Sequence, residues 1–337
     1  MPMFQRNYVW DRKRASRFIE SLILGLPVPQ IFLYQKARNR FLVIDGQQRL
    51  LSIYYFIKQR FPLMEKRAEL RKVFDENSGI PESILHDDNY FQDFKLQFVK
   101  TESGGKNPLE GLKYSTLNIY KSNFEYMTVR CMAIRQNEPK EDDSSVFEIF
   151  SRLNTGGVNL SNQEIRACLY YSEFFLMLNR LNQHPTWRRL YGKGEDSKFR
   201  DVEIILRTFA LLCDNQNYSG SMNTFINRFA KRAMDFDAEQ TKYMHDLFIS
   251  FMNACEGLSR DVFATKKGDL NAALFDAIFT VVAERCYENK TLITDPIDGK
   301  KISELKADEE FEEAITHSTS HSKVVKLRLE KARKYLA

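Results

Sequence analysis

Phe41-Leu42-Val43-Ile44-Asp45-Gly46-Gln47-Gln48-Arg49-Leu50 decides how the first half of this chain is read. Leu42, Val43 and Ile44 form an apolar, partly β-branched run that predicts a buried strand. Asp45-Gly46 ends it, because glycine frees the backbone and lets another group come close to the main chain. Leu50, Leu51, Ile53, Tyr54 and Ile57 then recur at helical spacing, so a helix is expected to begin within or just after Gln47-Gln48. Polar residues therefore gather where a strand hands over to a helix. Amides at a helix N-terminus favour anions there, and Arg49 adds a permanent positive charge. Two readings of the turn stand side by side: a phosphate-handling turn with a carboxylate beside it, and a hairpin-like turn with a solvated arginine.

Working outward, Asp11 is a good N-cap for a helix running to about Leu24, with Phe18, Ile19, Leu22 and Ile23 on its inner face and Gly25 as its stop. Pro27 and Pro29 force an extended path into Ile31-Phe32-Leu33-Tyr34, which should form a hairpin with Phe41–Ile44. Residues 62–92 are charged and helix-leaning, with a break at Gly79-Ile80-Pro81. Phe94–Val99 alternates like a strand, and Met127–Ile134 is expected to pair with it. Residues 101–115 read as a mobile loop and 138–143 as an acidic, solvated segment. Ser145–Leu153 reads as a short helix ending at Asn154-Thr155-Gly156-Gly157. Ser161-Asn162-Gln163-Glu164 is a capping box that opens a long helix reaching Leu176. The glycine corner before it is a second place where amides could face an anion. Beyond residue 165 the apolar stripes at 199–213, 222–234, 239–258, 270–286, 303–315 and 321–336 are helical. Their Met and aromatic residues read as core. The expected fold class is α+β: a small α/β domain over residues 1–160, then a mainly helical domain over residues 161–337.

Composition sets bounds. A chain of 337 residues can bury a substantial core and accommodates two subdomains. Its net charge of +5 permits nucleic-acid binding without arguing for it. The five cysteines are widely spaced with no CxxC pair, which predicts reduced, buried thiols and argues against structural zinc. No signal peptide and no apolar run of membrane-spanning length occurs, so a soluble cytoplasmic protein without membrane contact is expected.

The chain resembles the DGQQR-motif, ParB/sulfiredoxin-like family whose members include the GmrSD modification-dependent restriction enzymes and related phage-defence proteins. The resembling residues are Phe4-Gln5-Arg6-Asn7-Tyr8-Val9-Trp10, Gly25-Leu26-Pro27-Val28-Pro29, Ile44–Arg49, Phe147–Gly157 and Leu160–Arg166. The resemblance implies a small ParB/sulfiredoxin-like α/β fold and hydrolysis of a nucleoside triphosphate with Mg²⁺. Relatives usually carry a segment ahead of the Gln-Arg motif, so a trimmed chain, a late start codon or a short member is expected. Many also carry a C-terminal His-Asn-His-type nuclease, whereas residues 290–337 hold only His317 and His321. DNA cleavage is therefore expected to need a separate nuclease subunit.

On this reading Asp45, Gln47, Gln48 and Arg49 are the candidate catalytic residues. Asp45 coordinates Mg²⁺ or orients an attacking water, unless it serves only as an Asx-type turn. Gln47 and Gln48 suit a base edge, a ribose or the lytic water, and Arg49 suits bidentate contact with phosphate. Gln5, Arg6, Trp10, Gly46, Arg152 and Asn154 are the candidate nucleotide-binding residues. Tyr8 and Trp10 could stack on a base or belong to the core. Arg200, Asp201 and Glu203 match a charged cluster of relatives or form an internal salt-bridge network. No GxxxxGK[ST] loop and no HExxH occurs. The leading expectation is a nucleotide-hydrolysing sensor or regulatory subunit of a bacterial anti-phage restriction system acting on DNA, including modified phage DNA. The alternatives are a DNA-binding adaptor without turnover and a metal-dependent DNA nickase. Dimerisation is left open.

Overall fold

The computed structural model describes residues 8–77, 79–99, 107–137, 144–153, 161–196, 198–265 and 267–336. Two compact units divide the chain, one of Met1–Lys140 with Ser145–Asn159 and the other of Glu141–Ser144 with Leu160–Ala337.

In the first unit α1 (Arg12–Ile23) starts where Asp11 accepts a hydrogen bond from the Arg14 amide, and Gly25 takes a positive φ just beyond its end. This is the expected N-cap and glycine stop. β1 (Ile31–Ala37) and β2 (Arg40–Asp45) form the expected antiparallel hairpin, with Phe32 opposite Asp45. β2 is buried only at Leu42 and Ile44, so the strand has one core face rather than two. α2 (Gln47–Ile57) comes directly after it. Then come β3 (Arg60–Pro62), α3 (Arg67–Asn77), α4 (Glu82–Leu85), β4 (Phe91–Asp93), α5 (Lys121–Tyr126), β5 (Cys131–Ile134) and α6 (Ser144–Leu153). The main sheet has the order β2-β1-β5, with β5 parallel to β1, and β3 and β4 make a separate two-stranded ladder.

The pairing of 94–99 with 127–134 is thus overturned: β5 pairs with β1 instead. Residues 94–99 form no strand although Phe94 and Leu96 are buried as alternation requires. Their amides are met irregularly, Leu96 N–H by Leu112 O and Gln97 N–H by the Ser16 hydroxyl. Cys131 is another correction. It lies on an edge strand and is exposed, whereas Cys168 and Cys255 are buried thiols. The core of this unit is aromatic, with Phe56 meeting Phe94 and Phe124 edge-on and Phe61 meeting Phe94.

The second unit is helical among its described residues: α7 (Asn162–Leu169), α8 (Glu173–Asn182), α9 (Pro185–Tyr191), α10 (Arg200–Asp214), α11 (Met222–Arg232), α12 (Ala238–Ala254), α13 (Ala272–Asn289), α14 (Gly299–Ala307), α15 (Glu309–Thr316) and α16 (Ser322–Leu336). α10 and α13 pack side by side at its centre, with α8, α11, α12 and α16 around them. The Ser161/Glu164 capping box forms with both of its reciprocal bonds. The helix it opens does not reach Leu176. It stops at Tyr170, and Ser172 caps a new helix. Trp187 is fully buried against Phe275 and donates its indole N–H to Asn182. No helix among the described residues is long and apolar enough to cross a membrane.

Candidate functional site: the Asp45–Arg49 turn

The turn between β2 and α2 is built around Gly46. Its φ of 104° lies in the left-handed region that disfavours side chains, and a Cβ placed there would meet Ile31 Cγ1 at 3.0 Å. An added Cβ would be strained by this φ and would press on the Ile31 side chain. Asp45 is the last residue of β2, and Arg49 is the third residue of α2. Arg49 Nη2 donates to Asp45 Oδ2 at 2.5 Å, closing an ion pair across the glycine turn. The Arg49 side chain is 9% exposed and that of Asp45 is 37% exposed, so the carboxylate forms the outer member of the pair.

Gln48 anchors the segment that precedes α1. Its Oε1 accepts the Val9 N–H at 2.8 Å and the Trp10 N–H at 3.4 Å. One turn later Ser52 donates to the Gln48 carbonyl, and its hydroxyl lies 2.8 Å from the Tyr8 hydroxyl. Tyr8 is buried with its ring edge-on to Tyr55 and Phe61, and Arg67 donates to its carbonyl. Burial raises the Tyr8 phenol well above the ordinary tyrosine value and lowers Arg67. Tyr8 is therefore core, not a stacking platform. Trp10 is half-buried, edge-on to Phe18 with the Arg14 guanidinium over its ring. The described end of the first motif and the Asp45–Arg49 turn thus meet through Gln48 and Ser52. Gln5, Arg6 and Asn154 lie outside the described residues, as do 138–143 and the glycine corner at 154–157. Arg152 sits in the last turn of α6, 79% exposed and ion-paired with Glu148.

Asp45 lines an open depression of about 510 Å³ together with Val28, Pro29, Gln30, Phe32 and Arg130. Three of these come from the Pro27–Gln30 connection that the sequence reads only as extended chain. Gln30 and Arg130 escape a sequence reading, because nothing local ties residue 130 to residue 45. The parallel register of β5 on β1 does so. Among the described residues no group of three His, Cys, Asp or Glu side chains could hold a metal ion. Asp45 is thus the one carboxylate among the residues lining the depression, with Oδ2 engaged by Arg49.

In the second unit Asp201 is buried and accepts from Asn182, Arg188 and the Asp196 amide, while Glu203 pairs with the buried Arg166. These acids form the internal network that was one of the two readings of the cluster, and Arg200 is exposed.

A strand–glycine–helix turn carrying an acid and an arginine, set in a small mixed sheet ahead of a helical unit, marks an α+β protein whose candidate site lies on that turn. Residues 1–171 match the family model described as the GmrSD restriction endonuclease, N-terminal domain. The match covers just over half of the chain, which belongs to that family. An uncharacterized protein of the archaeon Methanocaldococcus jannaschii is 24% identical over 228 residues, an alignment covering 51% of this chain and 39% of that protein. The chain therefore spans about two fifths of the relative's length. No solved structure matches it.

Proposed function

We propose that this chain is the nucleotide-binding, NTP-hydrolysing sensor or regulatory subunit of a bacterial restriction system that acts on DNA, including modified phage DNA, with cleavage carried by a separate nuclease subunit. The observation that carries this reading is the Asp45–Arg49 ion pair held across Gly46, whose carboxylate lines an open depression. Membership of the restriction-endonuclease family gives it its context.

The chemistry rests on the residue types. Phosphoryl transfer to water demands positioning and charge stabilisation more than covalent work by the protein. Arg49 is oriented by Asp45 and offers a guanidinium to phosphate oxygens. Gln47 stands at the first position of α2, and its amide is of a type that can orient water or a ribose hydroxyl. Gln48 holds the Tyr8–Trp10 segment against the turn through its amide oxygen. Asp45 is the residue that would hold Mg²⁺. One carboxylate suffices for this hard ion when phosphates and water complete its shell, and when bound it neutralises phosphate charge.

The test is phosphate release from ATP, GTP, CTP and UTP with Mg²⁺, with and without modified and unmodified duplex DNA, beside Asp45→Ala and Arg49→Ala. Turnover by the wild type should fall at least about a hundredfold in either variant, the scale on which removing one charge-stabilising group acts. Circular dichroism should remain unchanged. Hydrolysis that survives both substitutions would remove the assignment. Tight nucleotide binding without release of phosphate would favour the adaptor reading, in which the ion pair is a latch rather than a catalytic group.

A further inference from the structure

The Asp45–Arg49 pair is close to neutral as a unit, and its outward-facing member is the carboxylate. With no cation on Asp45, a polyphosphate approaching the depression along it meets a like charge first. The site needs a positive pole that Asp45 does not already occupy, and the sheet supplies one. β1 is the central strand, with Phe32 opposite Asp45 of β2 on one side and opposite Met132 of β5 on the other. Side chains alternate between sheet faces, so residues two positions before Phe32 and Met132 return to the same face. Those residues are Gln30 and Arg130. Both line the depression with Phe32 and Asp45, as the alternation requires.

Arg130 is fixed where it stands. Its carbonyl accepts the Ile31 N–H at 2.8 Å, the first hydrogen bond joining the β5 segment to β1. Its side chain is exposed and makes no ion pair among the described residues. Neighbouring strands lie roughly 5 Å apart and Arg130 is offset by two residues of about 3.3 Å each from the position across β1 from Asp45, so the two backbones stand about 12 Å apart on one face of the sheet. A long guanidinium side chain can reach into such a gap. Val28, Pro29 and Phe32 line the same depression and lower the local polarity, which strengthens a charge–charge contact made beside them.

Resting on the nucleotide reading above, we infer that Arg130 is the phosphate-binding pole of this site, receiving the phosphate chain of a nucleoside triphosphate from the side opposite Asp45, with the Gln30 amide beside it. Arg49 then serves the end of the chain nearest the turn. The recognised chemistry is a phosphate oxyanion seen by a planar guanidinium fork.

The experiment uses the full chain and the non-hydrolysable β,γ-imido analogues of ATP and GTP. Their affinities are measured by calorimetry for wild type, Arg130→Gln and Arg130→Lys, with the parent nucleosides and a short DNA duplex as further probes. Arg130→Gln should weaken analogue binding about tenfold or more, and Arg130→Lys should recover part of the loss because it restores charge without the fork. Nucleoside binding should not change, and thermal midpoints should stay within about a degree because the side chain is exposed. Analogue affinity equal to that of the wild type in Arg130→Gln would overturn the inference and leave the nucleotide reading standing. Loss confined to the duplex would overturn it by assigning Arg130 to backbone phosphates of DNA. A wild type that binds neither analogue would remove the nucleotide reading, and this inference with it.

Discussion

Gly46 sets the geometry of the turn more narrowly than any charged residue in it. Asp45 and Arg49 lie four residues apart, but they meet only because the chain turns sharply enough for the first turn of α2 to begin directly after β2. That sharpness needs the left-handed φ of 104°, and a Cβ added at this position would meet Ile31 at 3.0 Å. Gly46→Ala should therefore cost about 1–3 kcal/mol, the range for a side chain forced into a sparsely populated backbone region. It should also lower nucleotide turnover, since a site displaced by a fraction of an ångström loses its alignment. Urea denaturation and phosphate release on one preparation check both effects. Unchanged stability would mean that the turn relaxes and that the tight approach carries no constraint. The same residue shows how much of the site is legible in sequence. Asp-Gly announces a turn, and the helical spacing from Leu50 announces α2. The ion pair is a short-range consequence of both. Arg130 is not legible, since its place depends on a parallel pairing with β1, a strand remote from it in sequence.

At the level of elements, capping and periodicity carry most of what the sequence reveals. Asp11, Ser161 and Glu164 take the capping roles their residue types predict, because each satisfies amides that the first helical turn leaves open. Strands are harder to read, since alternation reports burial and not partnership. Phe94 and Leu96 are buried on schedule, yet their segment draws its hydrogen bonds from Gln59 O and Leu112 O instead of from a neighbouring strand. The break at Tyr170 is equally hidden, because no glycine or proline marks it and Ser172 acts as a cap without a flanking breaker. The LSNQEIR motif yields a prediction at this scale. Arg166 of α7 is fully buried and donates to Gln163, to Glu203 of α10, and to Asn223 and Asn227 of α11. It fastens three helices through one guanidinium. Arg166→Ala would leave Glu203 without its counter-charge and both asparagines without donors. Stability should fall by about 3 kcal/mol, the lower end of the cost of breaking a buried pair from one side, because the Glu203 left behind is partly exposed. Guanidinium denaturation measures it. A loss below about 1 kcal/mol, the scale of an exposed pair, would mean that the network is replaceable by water.

The two units have separate cores, one aromatic around Phe56 and Phe94 and one helical around α10 and α13. Chains built from two cores unfold in more than one step unless the cores are tightly coupled. The sequence supplies a reporter for each. It has two tryptophans, Trp10 in the first unit and Trp187 in the second. Trp10 is edge-on to Phe18 under Arg14, and Trp187 is sealed against Phe275 with its N–H on Asn182. Both settings change on unfolding. In Trp187→Phe the remaining fluorescence tracks the first unit, and in Trp10→Phe it tracks the second. The two denaturation curves should have distinct midpoints, and the site and network substitutions should divide between them. Gly46→Ala should move only the Trp10 curve, and Arg166→Ala only the Trp187 curve. If both substitutions moved both curves equally, the units would fold as one cooperative body. Information from the Asp45 turn could then pass to the helical unit through stability alone. If the curves separate, a shift of the Trp187 midpoint on addition of the β,γ-imido analogue would show that binding at the first unit is felt in the second.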